Sequence, residues 1–246
     1  MSKLIYPKAD EPPLDLLRRC RGFYECPKAA DGTRLGPLVG YAGRDDQGRQ
    51  YVGDVYANFA KIEQHGPALL HTAELLWAKI LHMGFLDFAG FCGAPEGGKA
   101  LATTLATVYQ RQYIFPDKKV ISLATETSRE KSKLIFSRHD APEPDTAWWI
   151  VEDVCNNFST TMEIVNLIQA SGARVLGIVC FLNRSMVVDA VYTTSAGMPL
   201  PVLSVVRKPF DQWKQDDPIV ADDIARKNVI FKPKEQWDNL EKAMAA

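Results

Sequence analysis

The chain has 246 residues, of which 46% are hydrophobic and 24% charged, and a formal net charge of -1. That length suits one large domain with a small accessory piece, and the apolar content supports a full core and excludes a disordered chain. The near-zero charge supplies no global field to recruit nucleic acid or an anionic membrane, so neither is expected as a partner.

No run of about 18 apolar residues occurs, so no transmembrane helix is expected. The N-terminus breaks at Pro7 and turns acidic at Asp10-Glu11, unlike a secretory signal. Cys20, Cys26, Cys92, Cys155 and Cys180 lack CxxC spacing, and His65, His71, His82 and His139 make no ligand pair with a cysteine cluster. Reduced thiols in a cytoplasm follow, without a zinc site.

In chain order, Leu38–Ala42 and Tyr51–Tyr56 flank the turn-forming Asp45-Asp46-Gln47-Gly48 and predict a hairpin. Leu69, Leu70, Ala73, Leu76, Trp77 and Ile80 recur at helical spacing within Pro67–Met83. Phe85–Phe91 then reads as a strand, Ala100–Tyr109 as a helix and Val120–Ala124 as a second strand. A long polar stretch, Thr125–Thr146, has the length of a functional lid. Trp148–Val151 is a third strand, Thr160–Ala170 a helix and Val175–Phe181 a fourth strand. Such alternation predicts a parallel sheet covered on both faces. The tail after Arg207 is charged and proline-punctuated. It ends in a predicted helix, Glu235–Ala245, with Trp237, Leu240 and Met244 on one stripe.

The segment with the most chemistry runs from Trp148 through Glu152-Asp153 to Asn156-Asn157-Phe158-Ser159-Thr160-Thr161. A buried strand brings two carboxylates to its C-terminal end, where open α/β sheets bind ligands. A polar turn and a helix start follow, and free first-turn amides with the helix dipole favour an anion. The plainer reading is a strand that ends in two acids and a helix capped by Ser159 or Thr160.

This segment resembles the phosphoribosyl pyrophosphate (PRPP) motif of the type I phosphoribosyltransferases: an apolar strand, two acids, then a turn entering a helix. Phe91-Cys92-Gly93-Ala94-Pro95-Glu96-Gly97-Gly98-Lys99 is similar to the family's pyrophosphate loop, above all in the orotate branch, as is Gly172-Ala173-Arg174-Val175 ahead of the next strand. The resemblance implies an α/β fold of Rossmann-like type, a central parallel sheet flanked by helices with a small hood from the N- and C-terminal segments. The corresponding divisions are 1–67 (hood and hairpin), 68–206 (phosphoribosyltransferase core) and 207–246 (tail and helix).

By resemblance, Glu152 and Asp153 hold the ribose hydroxyls, and Asp153 binds magnesium through water or substrate. Asn156, Asn157, Phe158, Ser159 and Thr160 cradle the 5-phosphate. Ala94, Pro95, Glu96, Gly97, Gly98 and Lys99 meet pyrophosphate. Arg129, Lys131 and Lys133 lie on a mobile loop, with Lys131 catalytic beside Glu152 and Asp153. The family's turn is rich in Thr and Gly; here Phe158 stands at a glycine position, and no lysine sits directly beside Arg129. The implied reaction transfers the phosphoribosyl group from PRPP to an orotate-like pyrimidine base in a homodimer, with magnesium. The alternative is a non-catalytic PRPP or nucleotide sensor of the same fold.

Several of these residues have a plain structural reading beside the functional one. Lys99 and the loop cations also read as solvated charge, and Cys92 and Cys155 read as small core residues. Phe23, Tyr24 and Tyr41 either roof a base pocket or belong to a core.

Overall fold

The computed structural model describes residues 3–122 and 131–245. The N-terminal elements are α1 (Pro13–Arg19), β1 (Phe23–Glu25), β2 (Leu38–Arg44), β3 (Gln50–Gly53), β4 (Val55–Ala57) and α2 (Ala60–Glu63). Next come α3 (Gly66–Met83), β5 (Gly90–Gly93), α4 (Gly98–Val108), β6 (Gln112–Ile114), β7 (Asp117–Ser122) and β8 (Lys131–Ile135). The central stretch holds β9 (Ala147–Cys155), α5 (Ser159–Ala170), β10 (Arg174–Asn183), β11 (Val191–Thr193) and β12 (Pro199–Arg207). The tail adds α6 (Ala221–Ala225), β13 (Val229–Ile230) and α7 (Trp237–Ala245). Among the described residues no helix is long and apolar enough to cross a membrane.

These elements form two compact units. The larger comprises residues 1–7 and 63–208, the smaller residues 8–62 and 209–246. The larger is built on a six-stranded sheet in the order β11-β12-β10-β9-β5-β6. Its pairings are parallel except for β11 on β12. Along β9, Trp148 and Ile150 join a core cluster with Ile164, Val165 and Ile168 of α5. The alternate residues Trp149 and Val151 are also fully buried. A strand buried on both faces reads as a continuous apolar run, which is why β9 and β10 are legible from sequence.

Two strand predictions need correction. Val120–Ala124 is not a sheet strand: Asp117–Ser122 pairs antiparallel with Lys131–Ile135 as a separate two-stranded ribbon. Residues 123 and 124 lie outside the described residues. The place beside β5 belongs to β6, since Asp117-Lys118-Lys119 carries charges that a covered sheet would desolvate. The strand predicted over Phe85–Phe91 begins only at Gly90, and Phe85 remains 44% exposed. Any side chain at Gly90 would run into the backbone of Gln112, so the close approach of β5 and β6 requires glycine there.

The smaller unit holds a three-stranded sheet, β13-β2-β3, and the antiparallel pair β1–β4. The predicted hairpin is present as β2 and β3. Tyr24, Tyr41, Val39, Trp237 and Leu240 share one core. Tyr24 donates to the Pro37 carbonyl at 2.7 Å and Tyr41 to the Val55 carbonyl at 2.7 Å. Phe23 is buried as well. Tyr24 and Tyr41 are therefore core, whereas Phe23 lines a surface pocket with Arg18, Arg21 and Met244.

Candidate functional site

Strands β5 and β9 lie side by side and parallel, with Gly90 opposite Trp148 and Gly93 opposite Val151. Parallel neighbours end at the same sheet edge, so the segments that follow them are brought together. After β5 the chain turns through Ala94-Pro95-Glu96-Gly97 into α4. The Ala94 amide donates to the Val151 carbonyl at 2.8 Å, and the Gly98 amide to Ala94 at 2.9 Å. The Pro95–Glu96 peptide is cis.

Two glycines let this loop lie on β9. A Cβ at Gly97 would collide with the Asp153 carboxylate, and one at Gly98 with the Val151 carbonyl. The loop predicted for pyrophosphate and the acidic pair therefore share one edge, in contact. Both acids lie inside β9, which continues to Cys155 rather than stopping at Val151.

Glu152 and Asp153 are partly buried. The Asp153 amide donates to Glu152 Oε1 at 3.3 Å, and the Val154 amide to Asp153 Oδ1 at 2.8 Å. Burial first, then the adjacent Asp153 charge and a hydrogen bond with its carboxylate, push the Glu152 carboxyl well above the usual range.

The turn after β9 departs from a glycine-rich cradle in one respect and keeps its shape in another. Phe158 adopts φ 59° and ψ 15°, the left-handed conformation a glycine would take. Its ring is 3% exposed and stacks on Tyr192 of β11, with centroids 5.1 Å apart and planes 17° apart. The left-handed backbone costs about 1–2 kcal/mol. Burying the ring returns about 1.5–3 kcal/mol and the aromatic pair about 0.5–1.5 kcal/mol more. Burial wins, and the ring is held in the core.

The Asn157 carboxamide oxygen accepts the Ser159 amide at 3.2 Å and the Ser159 hydroxyl at 3.0 Å. Asn157 and Ser159 are exposed, Asn156 and Thr160 partly buried. As in any α-helix, the first-turn amides of α5 have no acceptor within the helix; the Asn157 side chain supplies one for Ser159.

Lys99, on the first turn of α4, bonds Glu96 Oε1 at 3.0 Å, and its Nζ lies 4.2 Å from the Phe115 ring centroid. Lys133 lies in β8 opposite Lys119 and is exposed. Lys131 begins β8 opposite Ser122. Both lysines therefore stand in a strand rather than a loop, because Leu134 and Phe136 anchor this stretch on the core that α5 covers. Arg129 lies outside the described residues. Burial raises the Cys92 thiol, and a hydrogen bond with Cys180 together with burial raises Cys155, so both are inert core groups.

Sequence reasoning missed Asn183, the fully buried last residue of β10. Its Nδ2 donates to the Val188 and Asp189 carbonyls at 3.0 and 2.9 Å, and its Oδ1 accepts the Ser185 amide at 3.1 Å. The Arg184 amide donates to the Cys155 carbonyl at 2.9 Å, which ties this loop to the end of β9. A lone amide closing an apolar run is the signal that was available.

No family model matches the chain, and no curated protein matches it. It is similar to solved structures of phosphoribosyltransferases. One is the UMP synthase of Leishmania donovani, at 14% identity and a TM-score of 0.48, over 83% of this chain but 38% of that one. Another is the orotate phosphoribosyltransferase of Aeropyrum pernix, at 17% identity and 0.47, over 70% and 89% of the two chains. A third is the adenine phosphoribosyltransferase of Saccharomyces cerevisiae, at 13% identity and 0.49, over 69% and 94%.

Proposed function

We propose that the chain binds PRPP at the C-terminal edge of its six-stranded sheet and transfers the phosphoribosyl group to an orotate-like pyrimidine base, releasing pyrophosphate. The observation that carries this reading is the contact of Gly97 and Gly98 with Asp153 and Val151. It sets an amide-rich loop, two acids and a helix N-terminus within one sheet edge, the set of groups a sugar with phosphate at one end and pyrophosphate at the other needs.

In this reading Asp153 and Glu152 take the ribose hydroxyls. The turn at 156–160 takes the 5-phosphate, and amides of 94–98 take pyrophosphate. Positioning and stabilisation of the departing charge supply the rate enhancement, because the transition state is a loose oxocarbenium-like sugar. Among the described residues no group of three or more His, Cys, Asp or Glu is arranged to hold a metal ion. Magnesium takes one or two carboxylates and fills its shell with phosphate oxygens and water. Asp153 would hold it, and when bound it neutralises pyrophosphate as a Lewis acid. A homodimer remains part of the proposal, with cationic residues of one chain serving its neighbour's site; sedimentation at micromolar concentration checks it.

A second reading, a PRPP sensor without turnover, is favoured by Asn157 and Lys99. The groups that would meet phosphate already have partners in Ser159 and Glu96. Pyrophosphate release from PRPP across a panel of bases separates the two: the enzyme releases it with one base, the sensor binds PRPP and releases none. In either case Asp153→Asn should weaken PRPP binding in magnesium by about tenfold or more, as expected for a lost charge-assisted contact of about 1.5–3 kcal/mol. If titration calorimetry finds no binding of PRPP to the wild type at millimolar concentration, both readings fail.

A further inference from the structure

A groove of about 630 Å³ lies between the C-terminal half of α3 and β12, and none of its lining residues is among 94–99 or 152–160. Its apolar lining is made by Leu203 of β12, Ala190, Ala78 and the exposed Met83; Val202 reaches the groove beside them, but its side chain packs in the core under α5. Along its rim stand Lys79, His82 and Arg207. The acid that lines it, Asp189, is already engaged: its Oδ1 accepts Arg207 Nε at 2.8 Å. Lys79 has no ion pair among the described residues.

A cation near a helix C-terminus is ordinary, since it answers the helix dipole. That accounts for Lys79 on α3 but not for the apolar floor beside it. Nor does it account for Arg207. Its Nη1 donates to the Asn183 carbonyl at 3.2 Å and its Nε to Asp189. The guanidinium is thus fixed in place at the groove, with Nη2 left without an acceptor among the described residues. An apolar cavity of this volume with a few converging, pre-oriented donors has the make-up of a small-molecule site.

We propose that this groove binds a small amphipathic anion, a molecule with one carboxylate or comparable acid on an apolar body. The apolar body lies on Leu203, Ala190 and Met83, and the acid meets Lys79 and the fixed Arg207. The charge of the rim selects the sign of the ligand, and the floor selects its apolar part.

Titration calorimetry of the full chain with octanoate, kept monomeric, tests this against octylammonium of the same length. Octanoate should bind saturably with one site, and octylammonium at least about tenfold more weakly. Lys79→Glu should weaken octanoate about tenfold or more, since it reverses the charge at an exposed position where folding is not at stake. Ala78→Trp, at another exposed position on the groove's lining, should abolish binding by filling the space, with the thermal midpoint unchanged. Equal binding of the two probes, unsaturable octanoate uptake, or wild-type affinity in either variant would overturn the proposal.

Discussion

Phe158 is a bulky residue in a conformation that favours glycine, and it stays there because its ring has a stacked partner in Tyr192 and a place in the core. The two effects oppose each other on substitution. Phe158→Gly relieves about 1–2 kcal/mol of left-handed backbone cost but forfeits a buried aromatic ring, whose truncation costs about 3–5 kcal/mol. The variant should therefore be destabilised by about 1–4 kcal/mol in urea unfolding. A gain in stability would mean that the ring is not packed as described. Glu152 offers a test by pH. Its carboxyl lies well above the ordinary value of 4.5, chiefly through burial, so the folded chain favours its protonated form. Stability from this group is therefore full below that value and declines as pH rises through the folded pKa. Glu152→Gln has no such decline, so its thermal midpoint should exceed the wild type's by a margin that grows as pH rises above about 4.5. A margin that stays constant over that range would show that Glu152 ionises normally.

At the scale of elements, the loop into α4 rests on two neighbouring glycines with different obstacles behind them. Gly98 faces the backbone carbonyl of Val151, deep in the sheet, whereas Gly97 faces the carboxylate of Asp153, a side chain that can turn aside. Gly98→Ala should therefore cost stability, about 1–3 kcal/mol as an overpacked contact. Gly97→Ala should leave stability nearly intact while displacing Asp153, lowering PRPP affinity at unchanged thermal midpoint. Calorimetric unfolding and PRPP titration of both variants check the contrast, and identical behaviour would contradict it. The glycine pair and the acids were legible in sequence because each sits where a buried apolar run ends. The ribbon β7–β8 was not: Val120-Ile121 looks like a strand in isolation, and the charges before it, not its own residues, keep it off the sheet. Lys131 and Lys133 were read as loop for the same reason. Only the packing of Leu134 and Phe136 on the core beneath α5 reveals a strand. The Phe158–Tyr192 pair was equally hidden, since partners 34 residues apart (192 − 158) leave no local pattern.

For the whole molecule, the smaller unit draws on both ends of the chain. β13 pairs in parallel with β2, the Val52 and Trp213 backbones exchange hydrogen bonds, and Trp237 Nε1 donates to the Arg21 carbonyl at 2.9 Å. Trp237 and Leu240 fill the core around Tyr24 and Tyr41. A pattern of local periodicities shows each of these elements singly, but it does not show that residues 8–62 and 209–246 complete one another, because long-range pairing has no local signature. The six-stranded sheet, by contrast, is closed by contacts within 63–208. Truncation after Lys208 should therefore act unevenly. Removing Trp237 and Leu240 strips two buried side chains from a small core, at about 2–5 kcal/mol each, enough to unfold a unit of that size. Hydrogen exchange should then lose protection across residues 23–57 while β9 and β10 keep theirs. If β9 and β10 lose protection to the same degree, the two units unfold as one. If 23–57 stays protected, the tail is not part of that core.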